Sequence, residues 1–106
     1  MLQEFASDWV AWVEAGAPEH TAFGRDLALC SSVRLWATNC KGMSMSDSYA
    51  LQDELRACFE RSVPEGTNYN IPFNTSQTFW EETVQSTKHL NVQRFAFAKK
   101  LAKGLV

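Results

Sequence analysis

Histidine, proline and glycine are scarce in this chain, and long apolar runs are missing altogether. Its two histidines, His20 and His89, stand far from one another in sequence. Zinc chemistry has no footing, because no HExxH, HxxxH or CxxC grouping supplies closely spaced ligands. No serine sits in a GxSxG turn that would present a nucleophile, and neither Gly24-Arg25-Asp26 nor Lys41-Gly42 makes a phosphate loop. Nowhere does the chain approach the roughly 20 consecutive apolar residues of a membrane-spanning helix, and Met1–Phe5 is not a basic lead into an apolar stretch. A cytoplasmic protein is therefore expected. Cys30, Cys40 and Cys58 make an odd count without motif spacing, which suits reduced thiols, and each is read as a small core hydrophobe on a helical stripe. Acidic residues are absent from position 83 onward.

What is present suits one helical domain. A chain of 106 residues sits at the usual domain size. With 45% hydrophobic and 21% charged residues it has the composition of a soluble globular protein, and four tryptophans with seven phenylalanines supply a core. Repeats, heptads and low-complexity tracts are lacking.

Helical periodicity runs through most of the chain. Leu2, Phe5, Ala6, Trp9, Trp12 and Val13 describe one face of a first amphipathic helix to about Ala15, stopped by Gly16 and Pro18. The pair Trp9 and Trp12 is read as core rather than as an exposed aromatic site. A second helix is expected from near Thr21 or Gly24 to about Cys40, with Leu29, Val33, Trp36 and Cys40 inward, Ser31, Ser32, Arg34 and Asn39 on the wetter side, and Gly42 as the left-handed stop. A third runs from Ser46 or Asp47 to about Ser62, capped by Ser44 or Ser46. Pro64–Asn68 is a turn, and Tyr69–Phe73 reads as an extended link constrained by Pro72. A short fourth helix is expected from roughly Ser76 to Ser86. Beyond a hinge at Thr87–Leu90, with Asn91 as cap, Val92–Lys103 is the fifth, burying Val92, Phe95, Ala98, Leu101 or Ala102 and Leu105. The expected architecture is all-α, a compact bundle of about five short helices.

The modest net charge of −2, with an isoelectric point near 5.6, conceals a partition. Residues 1–82 hold all twelve acids against five basic residues, a balance of −7, whereas residues 83–106 carry Lys88, Arg94, Lys99, Lys100 and Lys103, a balance of +5. Two contact surfaces are thus candidates. A basic end of Lys88, His89, Arg94, Lys99, Lys100 and Lys103 suits an acidic partner. An acidic first helix, Glu4, Asp8 and Glu14, suits a basic one. His89 fixes the turn between helices on the structural reading and joins the contact surface on the functional one. Catalytic, metal-binding and cofactor-binding residues are not identified, and only a tertiary meeting of Cys40 or Cys58 with His89 would make an enzyme.

Ile71-Pro72-Phe73, then His89-Leu90-Asn91 and Gln93–Ala102 (QRFAFAKKLA), resemble the closing segment of short phage and prophage accessory proteins. In these, an aromatic-Pro-Phe link leads through a short helix and a His-Leu-Asn hinge into a basic last helix. The likeness covers about the last 35 residues, and Val92 stands where that pattern has a proline. What the resemblance implies is a non-catalytic protein that occupies a surface of a host enzyme or defence complex, as anti-CRISPR proteins do, by steric occlusion. The alternative expectation is a small nucleic-acid-associated regulator that uses the basic last helix against phosphates. Oligomeric state is open, and an exposed apolar face on the first helix would favour a dimer.

Overall fold

The computed structural model describes residues 1–19, 22–24, 27–74 and 88–106, with side chains in the last segment from Val92 onward. The chain is all-α: α1 (Leu2–Glu14), α2 (Leu29–Lys41), α3 (Met45–Ser62), α4 (Asn70–Asn74) and α5 (Lys88–Ala102). The helix expected at Ser76–Ser86 falls outside the described residues. α1 packs chiefly on α5 and α2 chiefly on α3, with α4 touching both α2 and α5. The radius of gyration, 12.8 Å, matches the roughly 13 Å expected of a chain this long folded around one core.

Local chemistry accounts for the start of α3 and the ends of α2 and α5. Ser44 caps α3, its hydroxyl accepting from the Asp47 N–H at 3.1 Å, and Asp47 itself favours the positive end of the helix dipole. Gly42, at φ 64°, ends α2 in the left-handed conformation. At the end of α5 the Leu105 N–H reaches the Lys100 carbonyl (2.9 Å) and the Gly104 N–H the Leu101 carbonyl (3.0 Å), the paired bonds of a Schellman turn.

All five helices contribute to one buried cluster. Phe5, Trp9, Trp12 and Phe23 gather near Trp36. The Phe5 and Trp36 rings lie 5.7 Å apart edge to face, and those of Trp12 and Phe23 lie 5.0 Å apart. A second aromatic group joins Phe59 to Phe97 (4.8 Å, interplanar angle 85°) and to Phe73 (6.0 Å). Such edge-on pairs contribute about 1 kcal/mol each beyond the area they bury. Trp9 and Trp12 are core residues, as their spacing predicts.

Three expectations are corrected. α2 begins at Leu29, not near Thr21 or Gly24; Ala22, Phe23, Leu27 and Ala28 are buried outside any helix, so apolar loop residues imitated a helical stripe. Ser32, expected to be wet, is fully buried, and Cys40, expected in the core, is exposed. Tyr69–Phe73 is not an extended link. Asn68 Oδ1 accepts from the Asn70 N–H (3.1 Å), a turn of helix follows, and Pro72 occupies a first-turn position where its missing N–H removes no helical bond. Burial of Phe73 beneath this turn overcomes the extended preference of Ile71, which is left exposed.

The fifth helix is both longer at its start and turned relative to expectation. Lys88–Asn91 is helical, so no hinge separates Lys88 from Val92 and Asn91 is not the cap. The inward stripe is Arg94, Phe97, Ala98 and Leu101, spaced i, i+3, i+4, i+7, while Val92 and Leu105 are exposed and Phe95 is half-buried.

Candidate functional site

The turned phase of α5 changes the membership of its basic surface. Arg94 does not belong to it: the side chain is 0% exposed, and its Nε donates to the Pro72 carbonyl at 2.5 Å. An arginine can fill a core position because its long stem packs as hydrocarbon while the guanidinium satisfies carbonyl groups there. Arg94 thereby ties α5 to α4. Lys99, Lys100 and Lys103 are exposed, near the negative end of the helix dipole. The Lys99 ammonium lies over the Phe95 ring, 5.0 Å from its centre. Lys88 and His89 lie in the first turn of α5, and their side chains fall outside the described ones.

The acidic surface is also altered, by partners from α2. Glu4 forms an ion pair and hydrogen bond with Lys41, and that bond holds the Lys41 ammonium above its ordinary pKa by favouring the charged form. Lys41 also lies over the Trp36 ring, 5.3 Å from its centre. Asp8 Oδ2 accepts from Trp36 Nε1 at 2.9 Å. Glu4 and Asp8 thus face α2 as well as solvent, whereas Glu14 is exposed at the far end of α1. The roles of Trp36 and Lys41 were not visible in the helical pattern, because their acidic partners lie 28 and 37 residues away along the chain.

Other polar groups hold helices in register. Arg34 Nε donates to Gln52 Oε1 at 2.6 Å, and its guanidinium covers the Tyr49 ring at 4.8 Å, joining α2 to α3. Arg56 performs a similar task, 4.9 Å above the Phe73 ring and within reach of Asn70 and Asn74. The buried Ser48 hydroxyl returns its proton to the Met45 carbonyl (2.7 Å). Trp12 Nε1 donates to the Pro18 carbonyl (2.7 Å), while Trp9 Nε1 is buried without a partner among the described residues.

No protein-family model, curated protein or solved structure matches this chain.

Among the surface depressions of the described residues, two are floored by aromatic rings. One, of about 370 Å³, lies between α1 and α2, floored by Trp12, Phe23 and Trp36 and edged by Asp8, Ala11 and Cys40. The other, about 210 Å³, lies between the end of α3 and α5, where Phe59, Val63 and Phe97 meet Gln93 and Lys100. Among the described residues no three His, Cys, Asp or Glu side chains gather to hold a metal ion, and no helix is long and apolar enough to cross a membrane. His20 and the His89 side chain fall outside the description, so the proposed meeting of a cysteine with His89 does too.

Proposed function

We propose that this chain is a small, non-catalytic, phage-type protein that acts in the bacterial cytoplasm by binding a host protein or defence complex and inhibiting or redirecting it through steric occlusion. The observation that carries this reading is the segregation of exposed charge around an aromatic core: Lys99 and Lys100 stand exposed at the end of α5 with Lys103 just beyond it, and Asp8 and Glu14 stand exposed on α1. Occlusion asks for a firm body with a charged, complementary face, since charge steers association and selects the partner. Two of the buried polar side chains, Arg94 and Gln52, have structural employment, tying α5 to α4 and α3 to α2. The likeness of residues 69–101 to phage accessory proteins supplies the class of target.

Affinity capture with the full chain from a bacterial lysate, read by mass spectrometry, tests the reading. Stoichiometric recovery of one protein or complex is expected; recovery of none would count decisively against it. The nucleic-acid alternative rests on exposed Lys99 and Lys100 at the end of α5 and Lys103 just beyond it, and loses Arg94, which is interior. Under that alternative, DNA binding would fall steeply with salt and with Lys99→Ala plus Lys100→Ala.

A further inference from the structure

We propose that the depression between α1 and α2 is the docking face, and that its occupant is a basic amphipathic helix of the partner protein. This rests on the occlusion reading and names which of its two charged faces is used and what it takes.

The shape of the groove argues against a small molecule. Its floor rings are closed to solvent, Trp36 at 0%, Phe23 at 2% and Trp12 at 5% exposure, so no aromatic face is open for a ligand to stack upon. The accessible rim is made instead of short side chains, with Ala11, Ala15, Pro18 and Cys40 at the edges. Asp8, Ala11 and Ala15 recur at i, i+3 and i+7, one face of α1. Alanines along such a face let another backbone approach closely, and α1 packs chiefly on α5 with only a small contact to α2. A helix lying in a shallow apolar trough is a recurrent mode of protein recognition.

Charge selects the kind of helix. α1 carries Glu4, Asp8 and Glu14 and no basic residue. Lys41, the residue after the trough-lining Cys40, is already engaged by Glu4. Asp8 lines the trough, and the indole of Trp36 holds one of its carboxylate oxygens, which orients the other to accept a hydrogen bond from an arriving ammonium or guanidinium. An apolar stripe on the incoming helix covers Ala11, Ala15 and Pro18, while its Lys or Arg residues meet Asp8 and Glu14. The basic face of α5 takes no part.

The test uses the full chain and two synthetic amphipathic helices of about five turns, one of leucine and lysine and one of leucine and glutamate, with binding read by calorimetry and tryptophan fluorescence. The lysine peptide should bind at least about tenfold more tightly than the glutamate one, as expected when close charge pairs decide the partner. Ala11→Arg with Ala15→Arg, both favourable in a helix, should abolish that preference, and Asp8→Asn should weaken binding several-fold. Lys99→Ala with Lys100→Ala should leave it unchanged. Equal binding of both peptides, no binding of the lysine peptide, or undiminished binding by an Ala11→Arg, Ala15→Arg chain of unaltered circular dichroism would each overturn the proposal. Self-association lost in the same double variant, without peptide binding, would assign the face to a second copy and overturn it too. Lysate capture that survives the double substitution would reject this groove while leaving the occlusion reading intact. Peptide binding without any captured partner would do the reverse.

Discussion

Replacing Arg94 provides the sharpest test of how α5 is seated. The side chain is wholly buried and donates to the Pro72 carbonyl across 22 residues of sequence. Arg94→Ala removes that donor and leaves a buried carbonyl short of a partner, at about 1–3 kcal/mol. It also empties the volume of a long stem, for which truncation to alanine costs roughly 2–5 kcal/mol in a packed interior. Removing a desolvated charge returns part of this, so the net loss should be about 3–4 kcal/mol. For a domain of this size that lowers the melting temperature by roughly 12 °C or more. Arg94→Met keeps the unbranched stem and abolishes the charge, so its cost should be only about 1–2 kcal/mol. Urea unfolding followed by tryptophan fluorescence measures both. The neighbouring pair Val92→Ser and Phe97→Ala fixes the phase independently: the first should be within about 0.5 kcal/mol of the parent, the second should lose about 3–5 kcal/mol. An Arg94→Ala protein as stable as the parent, together with a damaging Val92→Ser, would show that α5 is turned the other way and would refute the reasoning.

Three further expectations can be measured on the same footing. Ser44→Ala should cost α3 about 1 kcal/mol by leaving the Asp47 N–H uncapped, seen as a lower urea midpoint with unchanged slope. Among Trp9, Trp12 and Trp36, Trp9→Phe should be the mildest substitution, because it removes a donor with no partner among the described residues, whereas Trp36→Phe deprives Asp8 and Trp12→Phe deprives Pro18 of theirs; a difference of about 1 kcal/mol is expected in denaturant titrations. The Lys41–Glu4 bridge should lend stability that is complete below the ordinary lysine pKa and fades as pH rises through the elevated folded-state value. Thermal melts between about pH 8 and 12 should therefore show an alkaline limb that Lys41→Ala flattens, and an unchanged limb would dismiss the bridge.

The parts of the fold legible in the residues were those set by near neighbours. α1 and its aromatic face, the Ser44 cap and the Gly42 stop all depend on side chains within a turn or two of one another. Misreadings arose where a distant contact decided the outcome. Polarity alone put Arg94 in water, and once it was placed there Val92 and Phe95 took the inward stripe; the Pro72 carbonyl that receives Arg94 belongs to another helix. Apolar residues at 22–28 look helical because both a helix stripe and a buried loop are rich in Ala, Leu and Phe. The candidate surfaces divide similarly. Lys99, Lys100, Lys103 and Glu14 were placed outward correctly by helical spacing alone. That Glu4 and Asp8 would meet Lys41 and Trp36 depends on how α1 crosses α2, which no local pattern encodes.

The pairing of α1 with α5 has a kinetic consequence. α2 and α3 are joined by a three-residue connection and can zip together as a local hairpin, whereas the principal partner of α1 is α5, which lies beyond α2, α3 and α4 in the chain. Until α5 docks, α1 lacks its principal helical partner, so an intermediate built on α2 and α3 alone leaves part of the apolar face of α1 uncovered. Docking of α1 on α5 is thus the most non-local helix pairing in this fold, and the slowest to be set up by local contacts alone.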